Sequence, residues 1–351
     1  MKKRFLLTVG LATLLTVGIA PAGATTATPD VARSAVTHSH GLDPRVVTTF
    51  PQGALGAFAE SMAADRAGML YVALTTWSQT GWNHGQIWRV APNGTRTPYG
   101  PRITAGLLTG LAVDRAGRLY VGLVGGQDPL PPLAPGVIRI NADGTATRVL
   151  TLPNGPEGKA SFPNGLAFHG DDLYVSDSTG AIWRTRPRGT VNDVPRSPWL
   201  RAPILAPSVG HFGVNGIAFR GDALYAAIYD AGLVVRIPLR HHGQPGALSV
   251  FARSAALKDA DGVAFDTEGT LWLTSTRSAV VGSGALLTVS RTGRVTVVAE
   301  HPAWLDYPTQ PVFGRTACDR TTLYITNGAF ASDGISDVTA VHVHARGVRL
   351  P

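Results

Sequence analysis

Cysteine is all but missing. The 351 residues include one, Cys318, so an internal disulfide framework and any multi-cysteine zinc site are excluded. Its setting, Thr316-Ala317-Cys318 inside a repeated segment, reads as a packed strand residue rather than a nucleophile. Sustained helical periodicity is absent along the whole chain. So are a Gly-x-Ser-x-Gly elbow, a phosphate loop and a His-Glu-x-x-His helix, which removes serine hydrolase, nucleotide-binding and zincin readings. The apolar run at the N-terminus, Phe5 to Ala20, falls short of the ~20 residues that span a bilayer. It follows Lys2-Lys3-Arg4 and leads to the small-x-small pattern Ala22-Gly23-Ala24, so residues 1–24 read as a secretory signal peptide. The expectation is a secreted protein with no membrane association after cleavage. Residues 25–42, rich in Thr, Ala, Pro and Ser, read as a flexible leader, and 43–351 as one domain. The formal charge is +8, of which Lys2, Lys3 and Arg4 carry three units. The remaining basic residues are scattered, which favours solubility over nucleic-acid binding.

What the chain does have is one phrase written six times. The copies begin Glu60-Ser-Met-Ala-Ala-Asp, Thr109-Gly-Leu-Ala-Val-Asp, Asn164-Gly-Leu-Ala-Phe, Asn215-Gly-Ile-Ala-Phe, Asp261-Gly-Val-Ala-Phe-Asp and, more loosely, Gln310-Pro-Val-Phe-Gly. Each runs on to a Leu-aromatic pair: Leu70-Tyr71, Leu119-Tyr120, Leu173-Tyr174, Leu224-Tyr225, Leu271-Trp272 and Leu323-Tyr324. A unit of short strands and turns recurring at this interval is the signature of a radial array, and six copies predict a six-bladed β-propeller, all-β. The second copy gives the blade: Leu108 to Asp114, Arg118 to Leu123, Gly136 to Asn141 and Thr145 to Leu150, with Asp143-Gly144 as a hairpin signal. Small residues after each first position let the innermost strands crowd at the axis. Val46 to Phe50 is a β-type run that can pair with strands near Ala340 to Val343 and close the circle.

If the phrases are equivalent strands, their first residues form a ring around the axis. Glu60, Asn164, Asn215 and Asp261 then converge from blades one, three, four and five. Two carboxylates and two carboxamides are hard oxygen ligands, suited to calcium or, less well, magnesium, and their charge balances one divalent cation. Without a cation, two facing carboxylates repel and one is driven to protonate. Asn-Gly and Asp-Gly are also ordinary turn signals, but not at one phase of a repeat together with a Glu.

The fragments Phe162-Pro-Asn-Gly-Leu-Ala, Asn215-Gly-Ile-Ala-Phe, Asp261-Gly-Val-Ala-Phe-Asp and Thr322-Leu-Tyr-Ile-Thr resemble the senescence-marker-protein/gluconolactonase/luciferin-regenerating-enzyme family. The resemblance runs from about Phe50 onward and lies in repeat phase more than in the intervening sequence. It implies a calcium-dependent six-bladed propeller hydrolase acting on a small-molecule lactone or ester, with Glu60, Asn164, Asn215 and Asp261 at the family's ligand positions; another divalent cation would serve the same donors. The chemistry implied is Lewis-acid hydrolysis, with Asp261 either activating water or attacking directly. Gluconolactonases typically carry an Arg two residues before the blade-three Asn and an Asp just after it. Here those positions are Phe162 and Gly165, which argues against a sugar-specific pocket and places Phe162 at the substrate.

Two insertions point the same way: Thr75 to Gly85 with Trp77, Trp82 and His84, and Gly125 to Pro135 with Leu130, Pro131, Pro132 and Leu133. These residues either contact substrate or simply pack their loops together. His211, four residues before Asn215, is a candidate proton shuttle or an ordinary surface residue. Two other classes compete with the hydrolase: a binding propeller with a structural metal, and a lyase or strictosidine-synthase-like enzyme on the same scaffold.

Overall fold

The computed structural model describes residues 42–50, 56–78, 81–104, 106–125, 134–155, 158–208, 212–330, 332 and 334–348. Residues 1–24 and nearly all of 25–42, read above as signal peptide and leader, lie outside them, as do His211 and Leu130–Leu133. Among the described residues there is no α-helix, and the strands form six four-stranded antiparallel sheets. After β1 (Pro44–Thr49), blade one holds β2 (Ala57–Ala64), β3 (Leu70–Ser78), β4 (Gly81–Val90) and β5 (Arg96–Thr104). Blade two holds β6 (Gly106–Val113), β7 (Leu119–Gly125), β8 (Gly136–Ile140) and β9 (Ala146–Thr151). Blade three holds β10 (Pro163–His169), β11 (Asp172–Asp177), β12 (Ala181–Thr185) and β13 (Leu200–Arg201). Blade four holds β14 (Val214–Arg220), β15 (Ala223–Ile228), β16 (Leu233–Pro238) and β17 (Ser249–Arg253). Blade five holds β18 (Ala260–Phe265), β19 (Leu271–Ser275), β20 (Ala285–Val289) and β21 (Val295–Glu300). Blade six holds β22 (Pro308–Phe313), β23 (Thr322–Asn327) and β24 (Asp337–His342), and its outermost strand is β1. The circle closes as the sequence suggested: Arg45 faces Ala340, Val46 faces Thr339, and the Phe50 N–H donates to the Ser336 carbonyl at 2.8 Å.

The Leu-aromatic pair explains why separate sheets pack into one ring. Successive side chains of a strand point to opposite faces. Leu119, Leu173, Leu224, Leu271 and Leu323 therefore pack against the preceding blade, while Tyr120, Tyr174, Tyr225, Trp272 and Tyr324 pack against the next. Blade one follows the rule, with Leu70 in the core shared with blade six and Tyr71 in the core shared with blade two. Each apolar core is thus an interface between consecutive blades, and burying one such side chain contributes roughly 1.5–3 kcal/mol. The aspartates that end three of the phrases hold the turn before the pair. Asp65 Oδ1 accepts from the N–H groups of Ala67 and Met69 and its Oδ2 from the Tyr71 hydroxyl; Asp114 repeats this with Ala116, Arg118 and Tyr120. Asp266 accepts from Thr270 N–H and from the Trp272 indole.

Two expectations need correction. Cys318 is exposed, in the turn between β22 and β23, and is not a packed strand residue. The sixth connection is longer than the others and folds on its own Asp319, which accepts from Thr316 N–H at 2.7 Å, so Cys318 sits on a loop tip. The Thr75–Gly85 insertion is not a loop either: β3 and β4 extend into a ribbon whose backbone pairs Trp77 with Trp82.

Candidate functional site

The ring forms at a shared irregularity. In every innermost strand the pairing register shifts at the phrase's first position: at Glu60 in β2, Thr109 in β6, Asn164 in β10, Asn215 in β14, Asp261 in β18 and Thr309 in β22. Such a bulge leaves a residue unpaired and re-aims its side chain. The sixth member is Thr309, not Gln310. Phe313 pairs with Leu323 as Phe265 pairs with Leu271, which places Thr309 level with Asp261. The loose sixth phrase misled because Pro311 stands where the other copies carry an aliphatic residue.

Neighbouring inner strands touch backbone to backbone here. A Cβ on Gly110 would lie 2.1 Å from the Asn164 carbonyl oxygen, on Gly216 2.2 Å from that of Asp261, and on Gly262 2.4 Å from that of Thr309. Only glycine permits that approach. Hydroxyls stitch the same contacts: Thr109 Oγ1 donates to Pro163 O at 2.8 Å, Ser176 Oγ to Asn215 O at 2.5 Å, Thr274 Oγ1 to Thr309 O at 2.6 Å and Thr309 Oγ1 to Ala59 O at 3.0 Å. The two ring threonines are thereby spent on blade-to-blade bonds, which leaves Glu60, Asn164, Asn215 and Asp261 as the ring's ligand-type side chains.

Asn164, Asn215 and Asp261 are buried, and Glu60 keeps partial exposure. Burial pushes the Asp261 carboxyl up to about 8, against a hydrogen bond from the Asn215 side chain that acts the other way. Burial, and then the negative charge of Asp261, holds Glu60 well above the usual carboxylate range. The two acids therefore face one another electrostatically. Neither shift carries an offsetting contribution from Arg or Lys. Asn164 donates through Nδ2 to Ser178 Oγ at 3.2 Å, which turns its carbonyl oxygen into the available ligand atom. Among the described residues no group of three or more His, Cys, Asp and Glu gathers, so any cation here depends on the two carboxamides. The donor set, two anionic and two neutral oxygens in a buried and charge-strained centre, fits one hard divalent ion.

Above the ring, at the end where the inner strands begin, lies a row of aromatic residues of which the sequence singled out Phe162 alone. Phe58 meets Tyr307 at 6.0 Å and Phe330 at 5.6 Å, and Tyr307 meets Phe330 at 5.3 Å. On the other side Phe162 meets Phe212 at 5.1 Å, and Phe212 meets Tyr229 at 5.7 Å. The Tyr229 hydroxyl and Thr276 Oγ1 share a 2.6 Å hydrogen bond between the two groups. Burial first, then the Asp261 charge among other causes, drives the phenol of Tyr307 above its ordinary range, and the same charge adds to Tyr229. The row therefore borders the acid pair. Tyr307 takes a left-handed φ of 53°, a strain of about 1–3 kcal/mol of the kind that collects at functional sites. Only position in the repeat could have flagged the other five, since each flanks the start of an inner strand or the end of a second one.

The remaining sequence candidates fare unevenly. Phe162 belongs to the aromatic row. His84 sits on β4, two strands out from Glu60, with its Nδ1 buried and unbonded. Trp77 and Trp82 lie on the blade-one ribbon at the same end of the molecule, and their side chains, like His211, fall outside what is described.

Fold and centre together define a closed six-bladed propeller with an oxygen-lined acidic axis. Residues 210–329, about a third of the chain and the stretch that carries Asn215 and Asp261, match the family model described as the SMP-30/Gluconolactonase/LRE-like region. The resemblance seen in the repeats is thus found independently in blades four to six. No curated protein matches by sequence. Among solved structures the chain is similar to a structural-genomics target provisionally described as a gluconolactonase (17% identity, 91% of this chain and 99% of that one, TM-score 0.61). It is also similar to a gluconolactonase from Xanthomonas campestris (19% identity, 92% and 98%, TM-score 0.56) and to a luciferin-regenerating enzyme (13% identity, 88% and 98%, TM-score 0.57). At these identities the likeness shows the fold.

Proposed function

We propose that the chain is an exported, divalent-cation-dependent hydrolase of a small lactone or ester whose acyl part is apolar or aromatic. The observation that carries this reading is the acid pair Glu60 and Asp261, raised in pKa with no basic side chain to offset them, on a ring completed by the buried Asn164 and Asn215. Those four would hold calcium, which when bound polarises a carbonyl oxygen and stabilises the charge that develops on attack. Asp261 then serves as general base toward water or as nucleophile, the Asn215 amide fixing its carboxylate orientation. Phe58, Phe162, Phe212 and Phe330 bind the organic part of the substrate and exclude water. The aromatic row replaces the polar pair expected of a sugar-lactone pocket, so aryl and alkyl lactones are favoured over gluconolactone.

The rival reading, a binding propeller with a structural cation, parts from this one at Asp261. With a panel of aliphatic and aromatic lactones, aryl esters and phosphotriesters, turnover should require the cation and vanish on chelation. Asp261→Asn should lower kcat at least about a thousandfold while the protein stays folded. Full turnover by the folded variant, or turnover unaffected by chelator, would sink the mechanism.

A further inference from the structure

One cavity lies apart from the acid ring. It begins one residue beyond it, at Ser61, Gly110 and Gly165, and runs to the opposite mouth of the tunnel with a volume of about 420 Å³. That size lies in the range of ~300–1,000 Å³ typical of small-molecule sites. Its walls are the lower halves of the inner strands, and its lining includes Met62, Leu111, Leu166, Ile217, Val263 and Val312. No Asp or Glu lines it, whereas Arg115, His169 and Arg315 do. His169 is already engaged, with Nε2 3.3 Å from Asp222 and its ring on Phe219. Arg115 is exposed.

Arg315 is different. Its guanidinium is deep enough that burial pushes its pKa down to about 10, and among the described residues it makes no ion pair. The nearby Asp319 is spent on Thr316 and on the Tyr324 hydroxyl. One Arg315 nitrogen donates to Val348 O at 2.5 Å, while Nε is buried with no partner. A desolvated cation with an unused donor is costly unless an anion completes it. A guanidinium offers a carboxylate two parallel hydrogen bonds.

We propose that this far mouth is a second ligand site, for an apolar monocarboxylate: Arg315 takes the carboxylate and the funnel takes the hydrocarbon. The site shares no side chain with the acid ring and stands whether or not the hydrolase reading holds.

The test is calorimetric titration of the intact folded protein, at neutral pH and below micelle-forming concentrations, with decanoate, decanol and decyltrimethylammonium. Decanoate should bind one to one, about tenfold or more tighter than decanol, with the cation weakest. Arg315→Met should erase the preference for decanoate over decanol. Ala218→Trp, which fills the funnel and spares the guanidinium, should weaken both. Equal binding of decanoate and decanol by the unmodified protein overturns the proposal, and that comparison needs no variant. So does an absence of saturable decanoate binding, or a folded Arg315→Met that keeps the preference.

Discussion

Asp261 and Glu60 are two acids held where water is scarce and each other's charge is close, and that has a measurable consequence. A carboxylate whose pKa is higher folded than unfolded keeps its proton in the fold, so the folded state binds more protons and stability falls as pH rises between the two values. For Asp261 the window runs from its ordinary 3.8 up to about 8. Metal-free protein should therefore lose thermal stability as pH climbs through that window, and calcium should raise the melting temperature more at pH 8 than at pH 5. Asp337, pushed up to about 6 by burial, acts with the same sign, so the informative quantity is the difference between the parent and Asp261→Asn. Metal-free melts should show a shallower slope for the variant; parallel slopes would mean that Asp261 is not the strained group.

The innermost strand sets the ring, through its bulge and the small residue that follows. Gly216→Ala places a methyl group 2.2 Å from the Asp261 carbonyl oxygen, so blades four and five must move apart. Urea unfolding should show a loss of about 1–3 kcal/mol, and calcium titration a weaker site, because Asn215 and Asp261 separate together. Loss of stability with unchanged calcium affinity would show that the close approach supports packing alone. Thr309→Val removes the donor to Ala59 O, the hydroxyl stitch between the sixth and first blades. The acceptor is left buried, and about 1–3 kcal/mol should be lost without any change in cation affinity. The same strand carries the error in the sixth phrase. Pro311 hid the alignment that the pairing of Phe313 with Leu323 makes plain, because strand register is fixed by partners far away in the chain.

Closure belongs to the whole molecule. β1 is the fourth strand of the last blade, and Val47 and Phe50 complete the core between blades six and one. A chain beginning at Phe50 should melt lower than one beginning at Leu42 and associate more readily with rising concentration, since β24 becomes an open edge; sedimentation and thermal melts would show it, and identical behaviour would make β1 dispensable. The six phrases and their Leu-aromatic pairs determined blade number and the shared phase of Glu60, Asn164, Asn215 and Asp261, because each is a local pattern repeated at one phase and packing needs only that pattern; the β-type run Val46–Phe50 marked the closing strand. The exposure of Cys318, the extension of Trp77 and Trp82 into a ribbon, the aromatic row around Tyr229 and Tyr307 and the Arg315 funnel were decided by tertiary structure. Each depends on which loops and strand ends from distant blades meet at the mouths of the tunnel, and no local periodicity records those meetings.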